Sequence, residues 1–202
     1  MSALFSRLSE RHHAGHARAD VELYVDARAV PDRQDYRPAA ILAAVTERER
    51  PGLLLIHRPS TMRAHPGQIA LPGGKIDADE SPVAAALREA NEELGIPAQA
   101  VRVVGESDLY RTGSGYDITP VIGMVPPDLE LRPNPAEVAQ WFEAPLDFVF
   151  DPANQRRERI EWEGGTYHTW RIDWQEHQIW GVTAGILVNL SRRYGWLDDI
   201  GR

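Results

Sequence analysis

A chain of 202 residues, 43% apolar and 26% charged, has the composition of one globular domain with some chain to spare. The absence of cysteine excludes a disulfide framework, thiolate zinc sites, iron–sulfur ligation and a cysteine nucleophile. Twenty-two basic against thirty acidic residues leave a net charge of −8, which argues against a nucleic-acid partner and requires divalent cations to bridge any polyanionic ligand to carboxylates.

The N-terminal stretch MSALFSRLSERHH lacks the apolar centre of a secretory signal, and Leu4, Phe5 and Leu8 fall on one stripe of a short surface helix. The longest apolar runs, 39–45 and 53–56, fall far short of the roughly 20 residues that cross a bilayer, so no membrane partner and a cytoplasmic location are expected. Residues 12–37 show no sustained period and read as an irregular leader, so that 1–37 precede a domain at 38–195 and 196–202 form a tail. His12, His13 and His16 lie in that leader; a mobile polar segment is the expectation and a metal cluster the alternative.

Two strand-like runs, 40–46 and 52–57, flank the charged turn ERERP and predict a hairpin. Residues 58–81 are proline- and glycine-rich loop. A helix is predicted over 82–94, opened by Ser81 as N-cap with Pro82 at the first helical position and closed by Gly95 with Pro97 beyond. Strands at 101–110 and 118–125 flank the turn Thr112-Gly113-Ser114-Gly115, and a further strand is expected at 137–142. Runs at 159–162 and 167–174 flank Gly164-Gly165, a hairpin signal. The rings of Trp162, Trp170 and Trp174 there serve the core, with a homodimer interface as the alternative. A last helix at 182–194 buries Ile186, Leu187 and Leu190. Strands mixed with few helices, without regular βαβ alternation, predict a single-domain α/β fold on a mixed sheet.

Within the helix 82–94, Val83, Leu87, Ala90 and Leu94 form one apolar face, while Glu89, Glu92 and Glu93, at i, i+3 and i+4, cluster on another. These carboxylates repel one another by a few tenths of a kcal/mol per pair, near the helix end where the macrodipole also disfavours anions. Helix stability does not call for this arrangement; a hard divalent cation does, with a solvated acidic face as the alternative. Gly73-Gly74 just upstream brings the backbone close to the helix.

Gly74, five residues, Glu80, seven residues, Arg88-Glu89-Ala90, one residue, Glu92-Glu93, one residue and Gly95-Ile96 resemble the signature of the Nudix hydrolase superfamily, with every fixed position filled. The resemblance implies a Nudix-type α/β/α sandwich and metal-dependent attack of water on a nucleoside diphosphate linked to another moiety. It implies that Glu89, Glu92 and Glu93 face the metals, and that Arg88 pairs with Glu80 or a neighbouring carboxylate to hold the loop, with Gly74, against the helix.

The stretch from Leu53-Leu54-Leu55-Ile56-His57-Arg58 through Arg63-Ala64-His65-Pro66-Gly67 to Leu71-Pro72-Gly73-Gly74 resembles the element that marks the coenzyme A pyrophosphatase branch of that family. Leu71 stands where the branch usually has phenylalanine, and His57 where a small hydroxyl is common. Similarity continues through Gly115-Tyr116, Glu137-Val138 and Trp180-Gly181-Val182-Thr183, and covers roughly 38–190. Physically, Arg58 and Arg63 can fork onto phosphate oxygens, and Gly67 and Gly73 let backbone N–H groups approach an anion. For Arg63 the alternative is a surface salt bridge; for His65, loop hydrogen bonding competes with ligand contact.

The expected function is a Mg²⁺- or Mn²⁺-dependent pyrophosphohydrolase that cleaves coenzyme A, or a derivative, to 3′,5′-ADP and 4′-phosphopantetheine. Either Glu92 or Glu137 accepts the proton of the attacking water, Glu137 lying where family members often place an extra acid. The alternatives are a Nudix hydrolase of ADP-ribose or a dinucleotide, and a non-catalytic nucleotide-binding module.

Overall fold

The computed structural model describes residues 2–30, 33–61, 66–162 and 165–196, the side chain of Trp162 excepted. Arg63, His65, Gly164 and the last six residues lie outside the described residues. Strand β1 (Arg37–Thr46) is an almost continuous apolar run, buried from Ala39 onward except for the half-buried Ile41, as a strand covered on both faces requires. It pairs antiparallel with β2 (Gly52–His57), as the hairpin reading predicted. In the loop region read at 58–81, two short strands form: β3 (Ile69–Ala70) pairs with β2, and β4 (Gly73–Lys75) pairs with β1.

Helix α2 (Pro82–Leu94) has the predicted bounds. The run read at 101–110 breaks into β5 (Arg102–Glu106) and β6 (Tyr110–Arg111). Both pair with β7 (Tyr116–Val125), which lies parallel to β1 from Arg37↔Tyr116 to Thr46↔Val125. The strand expected at 137–142 starts later, as β8 (Gln140–Pro145), on the outer edge of β2. Asn134 explains the shift: its carbonyl accepts from the N–H groups of Glu137 and Val138, and its side chain accepts from Ala136 N–H. That local turn chemistry outcompetes strand pairing and leaves Glu137 on a loop. Helix α3 (Leu146–Phe150) follows, then the three-stranded sheet β9 (Arg156–Trp162), β10 (Gly165–Trp174) and β11 (His177–Trp180), and finally α4 (Gly181–Tyr194).

Alternate residues of β1 and β2 feed two cores. Ala40, Leu42, Ala44, Leu54 and Ile56 pack with α2 on one face of the mixed sheet. Ala43, Val45, Leu53 and Leu55 pack with α3, α4 and the second sheet on the other. This is the expected α/β/α sandwich. The buried seam of α2 is Ala85, Ala86, Ala90 and Leu94, with Val83 and Leu87 only partly covered. Three alanines let the helix lie close to the sheet, so the seam falls on the smallest residues.

The N-terminal reading needs correction. Helix α1 (Ala3–Ala17) continues through all three histidines, and irregular chain begins only after it. Tertiary docking on α4 decides this: Leu8 is buried, a Cβ at Gly15 would lie 1.9 Å from the Arg193 carbonyl oxygen, and Arg11 donates to the Gly195 carbonyl at 2.7 Å. His12 Nδ1 lies 3.0 Å from the Tyr194 hydroxyl and His16 Nε2 lies 3.0 Å from Ser107 Oγ, so these rings are docked rather than mobile. Trp196, read as the start of a tail, is buried in the core with Arg7 stacked on it. Trp170 and Trp174 pack against the core, Trp174 with its centroid 4.7 Å from that of Phe148. Among the described residues, no helix is long and apolar enough to cross a membrane.

Candidate metal and substrate site

Helix α2 is set by its ends. Ser81 Oγ accepts from Ala84 N–H at 3.2 Å, Pro82 needs no donor partner, and Gly95 takes the left-handed conformation at φ 69°. With the alanine seam buried, Glu89 and Glu93 face β4. Gly73 N–H donates to Glu93 Oε2 at 2.9 Å. Both glycines of β4 are crowded: a Cβ at Gly73 would lie 2.4 Å from the Ala40 carbonyl oxygen, which cannot move aside, and one at Gly74 would lie 2.3 Å from the Glu89 carboxylate and displace it.

Arg88 ties the preceding loop to the helix. Its Nε and Nη2 fork onto the two oxygens of Glu80, both at 3.0 Å, while Nη1 donates to Glu89 at 2.9 Å and to Glu92 at 3.1 Å. The loop closes from its own side as Asp77 N–H donates to Glu80 at 3.1 Å.

Glu137 completes the site from the opposite loop. Oxygens of Glu89, Glu93 and Glu137 all lie within 4.8 Å of one another. Glu92 stands outside this group, exposed and paired with Arg88. Arg58 Nη1 lies 3.9 Å from Glu93, and the Arg58 Nε is buried with no hydrogen-bond partner among the described residues. Burial is the main reason that the Glu93 carboxyl is pushed up to about 8; Glu89 and Glu137 add to this, while the Gly73 N–H and Arg58 oppose it. Burial likewise raises Glu89, against the pull of Arg88. Three crowded carboxylates, two of them resisting ionisation, form an all-oxygen donor set that suits a hard divalent cation.

The trio opens into a cleft of about 430 Å³. Arg58, Gly73 and Gly74 line its acidic end together with the trio. Elsewhere the wall is largely apolar, with Ile118, Val182 and Ile186, and it also carries Trp180 and the hydroxyl residues Thr112 and Ser114. Gly67 sits in a turn at φ 68°, and among the described residues nothing lies within 4 Å of the place a Cβ would take. Sequence reasoning assigned no role to Thr112, Ser114, Trp180 or Thr183. The one available signal was that Trp180 and Thr183 fall in a stretch already noted for its resemblance. Thr183 Oγ1 donates to the Ile69 carbonyl at 2.9 Å and joins the start of α4 to β3.

A NUDIX domain model matches residues 35–162. The protein named "Uncharacterized Nudix hydrolase NudL" from Enterobacter sp. (strain 638) is 42% identical over 160 residues, 79% of this chain and 83% of its own length. Its namesake from Escherichia coli (strain K12) is 40% identical over 162 residues, covering 80% and 84%. Among solved structures, a MutT/nudix family protein from Enterococcus faecalis is similar with a TM-score of 0.50 at 14% identity, over 98% of this chain and 75% of its own, a likeness of fold.

Proposed function

The chain belongs to the Nudix hydrolase family, and from that membership we propose that it is a Mg²⁺- or Mn²⁺-dependent pyrophosphohydrolase of coenzyme A or its derivatives. Family membership itself makes it a hydrolase of a nucleoside diphosphate derivative. The observation that carries the finer reading is one cleft in which a carboxylate trio meets Arg58, whose buried Nε has no partner among the described residues, on the element that resembles the coenzyme A branch.

Glu89, Glu93 and Glu137 would hold the metal. Bound there, a divalent cation supplies charge to the diphosphate and lowers the pKa of water. Arg58 lines the cleft with its Nη1 3.9 Å from Glu93, and the exposed part of its guanidinium binds phosphate oxygens. Arg63 and His65, on the same element, contribute further substrate contacts, and Gly67 and Gly73 let the backbone approach the anion. Arg88 and Glu80 hold Gly74 and Lys75 against the helix so that the trio keeps its spacing. Glu92 or Glu137 accepts the proton of the attacking water. The location is cytoplasmic and the partner a small molecule.

A panel of coenzyme A, acyl-coenzyme A, ADP-ribose and a dinucleoside polyphosphate, run with Mg²⁺ and with Mn²⁺ and resolved chromatographically, tests the reading. Coenzyme A is expected to give 3′,5′-ADP and 4′-phosphopantetheine. Preferred cleavage of ADP-ribose or a dinucleotide overturns the branch assignment, and binding without turnover of any member overturns the catalytic one.

A further inference from the structure

The irregular chain after α1 precedes the start of the family match at residue 35, yet it is fastened to two walls of the cleft. Asp26 is 2% exposed. One of its carboxylate oxygens accepts from the backbone N–H and the Nε of Arg28, both at 3.0 Å. The other accepts from Arg28 Nη2 at 2.9 Å and from the backbone N–H of Gly113 at 3.0 Å. Arg28 in turn lies over the Tyr167 ring, and its Cβ is so near Gly113 that a Cβ there would fall 2.4 Å from it.

Gly113 belongs to the turn at 112–115. Thr112 Oγ1 accepts from Tyr116 N–H at 2.9 Å and lies 3.1 Å from Ser114 Oγ, and both hydroxyl residues line the cleft. On the far side, Asn189 of α4 grips the backbone of Tyr24 through two hydrogen bonds, at 2.7 and 2.9 Å. The first turn of α4 supplies Val182 and Thr183 to the same cleft. A buried carboxylate is a costly means of tying down a loop unless its geometry matters, because an apolar contact would hold the chain at less desolvation.

We propose that Asp26 is a positioning residue for substrate recognition: through Gly113 it fixes the 112–115 turn so that the exposed Ser114, braced by the buried Thr112 hydroxyl that is itself spent on the Tyr116 backbone, presents its hydroxyl to a polar group of the substrate beyond its diphosphate. This rests on the cleft being the substrate cleft. Selectivity then depends on a segment that the family match does not include.

The test is a double-mutant cycle in the full-length protein. Asp26→Asn keeps the shape but removes the buried charge that holds Arg28 and replaces one oxygen by an NH2 that cannot accept. Either the Arg28 backbone N–H and Nε pair or the Arg28 Nη2 and Gly113 N–H pair is then left facing a donor. The variant is expected to raise KM about tenfold, the equivalent of one lost hydrogen bond, while kcat and the Mn²⁺ concentration for half-maximal activity stay within about twofold. Ser114→Ala should raise KM alike, and the double variant should be no worse than either single one. Additive losses, a fall in kcat at unchanged KM, or no change would overturn the proposal. Should Asp26→Asn fail to fold, Gly113→Ala pushes on Arg28 while leaving the carboxylate in place, and the same rise in KM is expected. The cycle uses whichever diphosphate the wild-type panel cleaves best, or the calorimetric Kd of ADP if none is cleaved. Rejection of coenzyme A by the wild type therefore leaves this proposal to be decided separately.

Discussion

Gly73 and Glu93 lie twenty residues apart in sequence, and the backbone N–H of the first donates to the carboxylate of the second at 2.9 Å. This bond holds the buried Glu93 carboxyl beside those of Glu89 and Glu137 and offsets part of the cost that burial places on its charge. Its neighbours supply the remaining charge balance.

Replacing Glu93 by Gln keeps the side chain's size and removes one ligand charge. Activity is expected to fall by about 100-fold or more at saturating Mg²⁺, with the far-ultraviolet circular dichroism unchanged. Turnover near that of the wild type would show that this carboxylate holds no metal.

The raised pKa of Glu93 has a stability consequence in metal-free protein. Its folded value, about 8, lies above the ordinary 4.5, so the folded state binds the proton more tightly. Stability from this group is present in full below the ordinary value and is lost as pH rises towards 8. Thermal melts in chelator should therefore show Tm falling across that window, with the fall reduced in Glu93→Gln and opposed by added Mg²⁺. A Tm flat in pH for the wild type contradicts the assignment.

Gly74→Ala tests the close approach of β4 to α2. The new methyl group would fall 2.3 Å from the Glu89 carboxylate, which can swing aside because it ends a flexible side chain. The fold should survive while the Mn²⁺ requirement rises about tenfold or more, as expected for a disturbed ligand shell. An unchanged metal titration would place Glu89 outside the site.

Arg58→Ala removes the partly buried cation next to Glu93. Loss of a charge-assisted phosphate contact of about 1.5–3 kcal/mol corresponds to roughly 10- to 150-fold in kcat/KM. Kinetics unchanged across the whole panel would make this arginine structural and remove the physical support for the substrate reading.

Glu92 and Glu137 can be separated by metal affinity. Glu137 lies within the trio and Glu92 outside it. Glu137→Gln should weaken both Mn²⁺ binding and turnover, whereas Glu92→Gln should lower turnover at nearly unchanged Mn²⁺ affinity if it serves only as the proton acceptor. Isothermal titration with Mn²⁺ beside steady-state rates decides between them.

What could be read from the chain alone was whatever short-range chemistry determines. The bounds of α2 follow from Ser81, Pro82 and Gly95, because caps act within one turn. The spacing of Glu80, Arg88, Glu89 and Glu93 was legible for the same reason, since a helix converts spacing directly into a face. The buried run of β1 and β2 and their pairing also followed from local pattern.

Tertiary structure decided the rest. Glu137 joins the trio because Asn134 N–H donates to the Glu93 carbonyl at 2.9 Å, which anchors the loop that carries it to the end of α2. Helix α1 extends through His16 because α4 offers it a docking face, and the buried charge of Asp26 answers to Gly113, eighty-seven residues away. These contacts join segments far apart in the chain, where each partner alone has no local preference to betray it. The sequence by itself determined which acids are available and on which helical face they stand; only packing decided which of them meet, because convergence depends on the whole sheet lying between them.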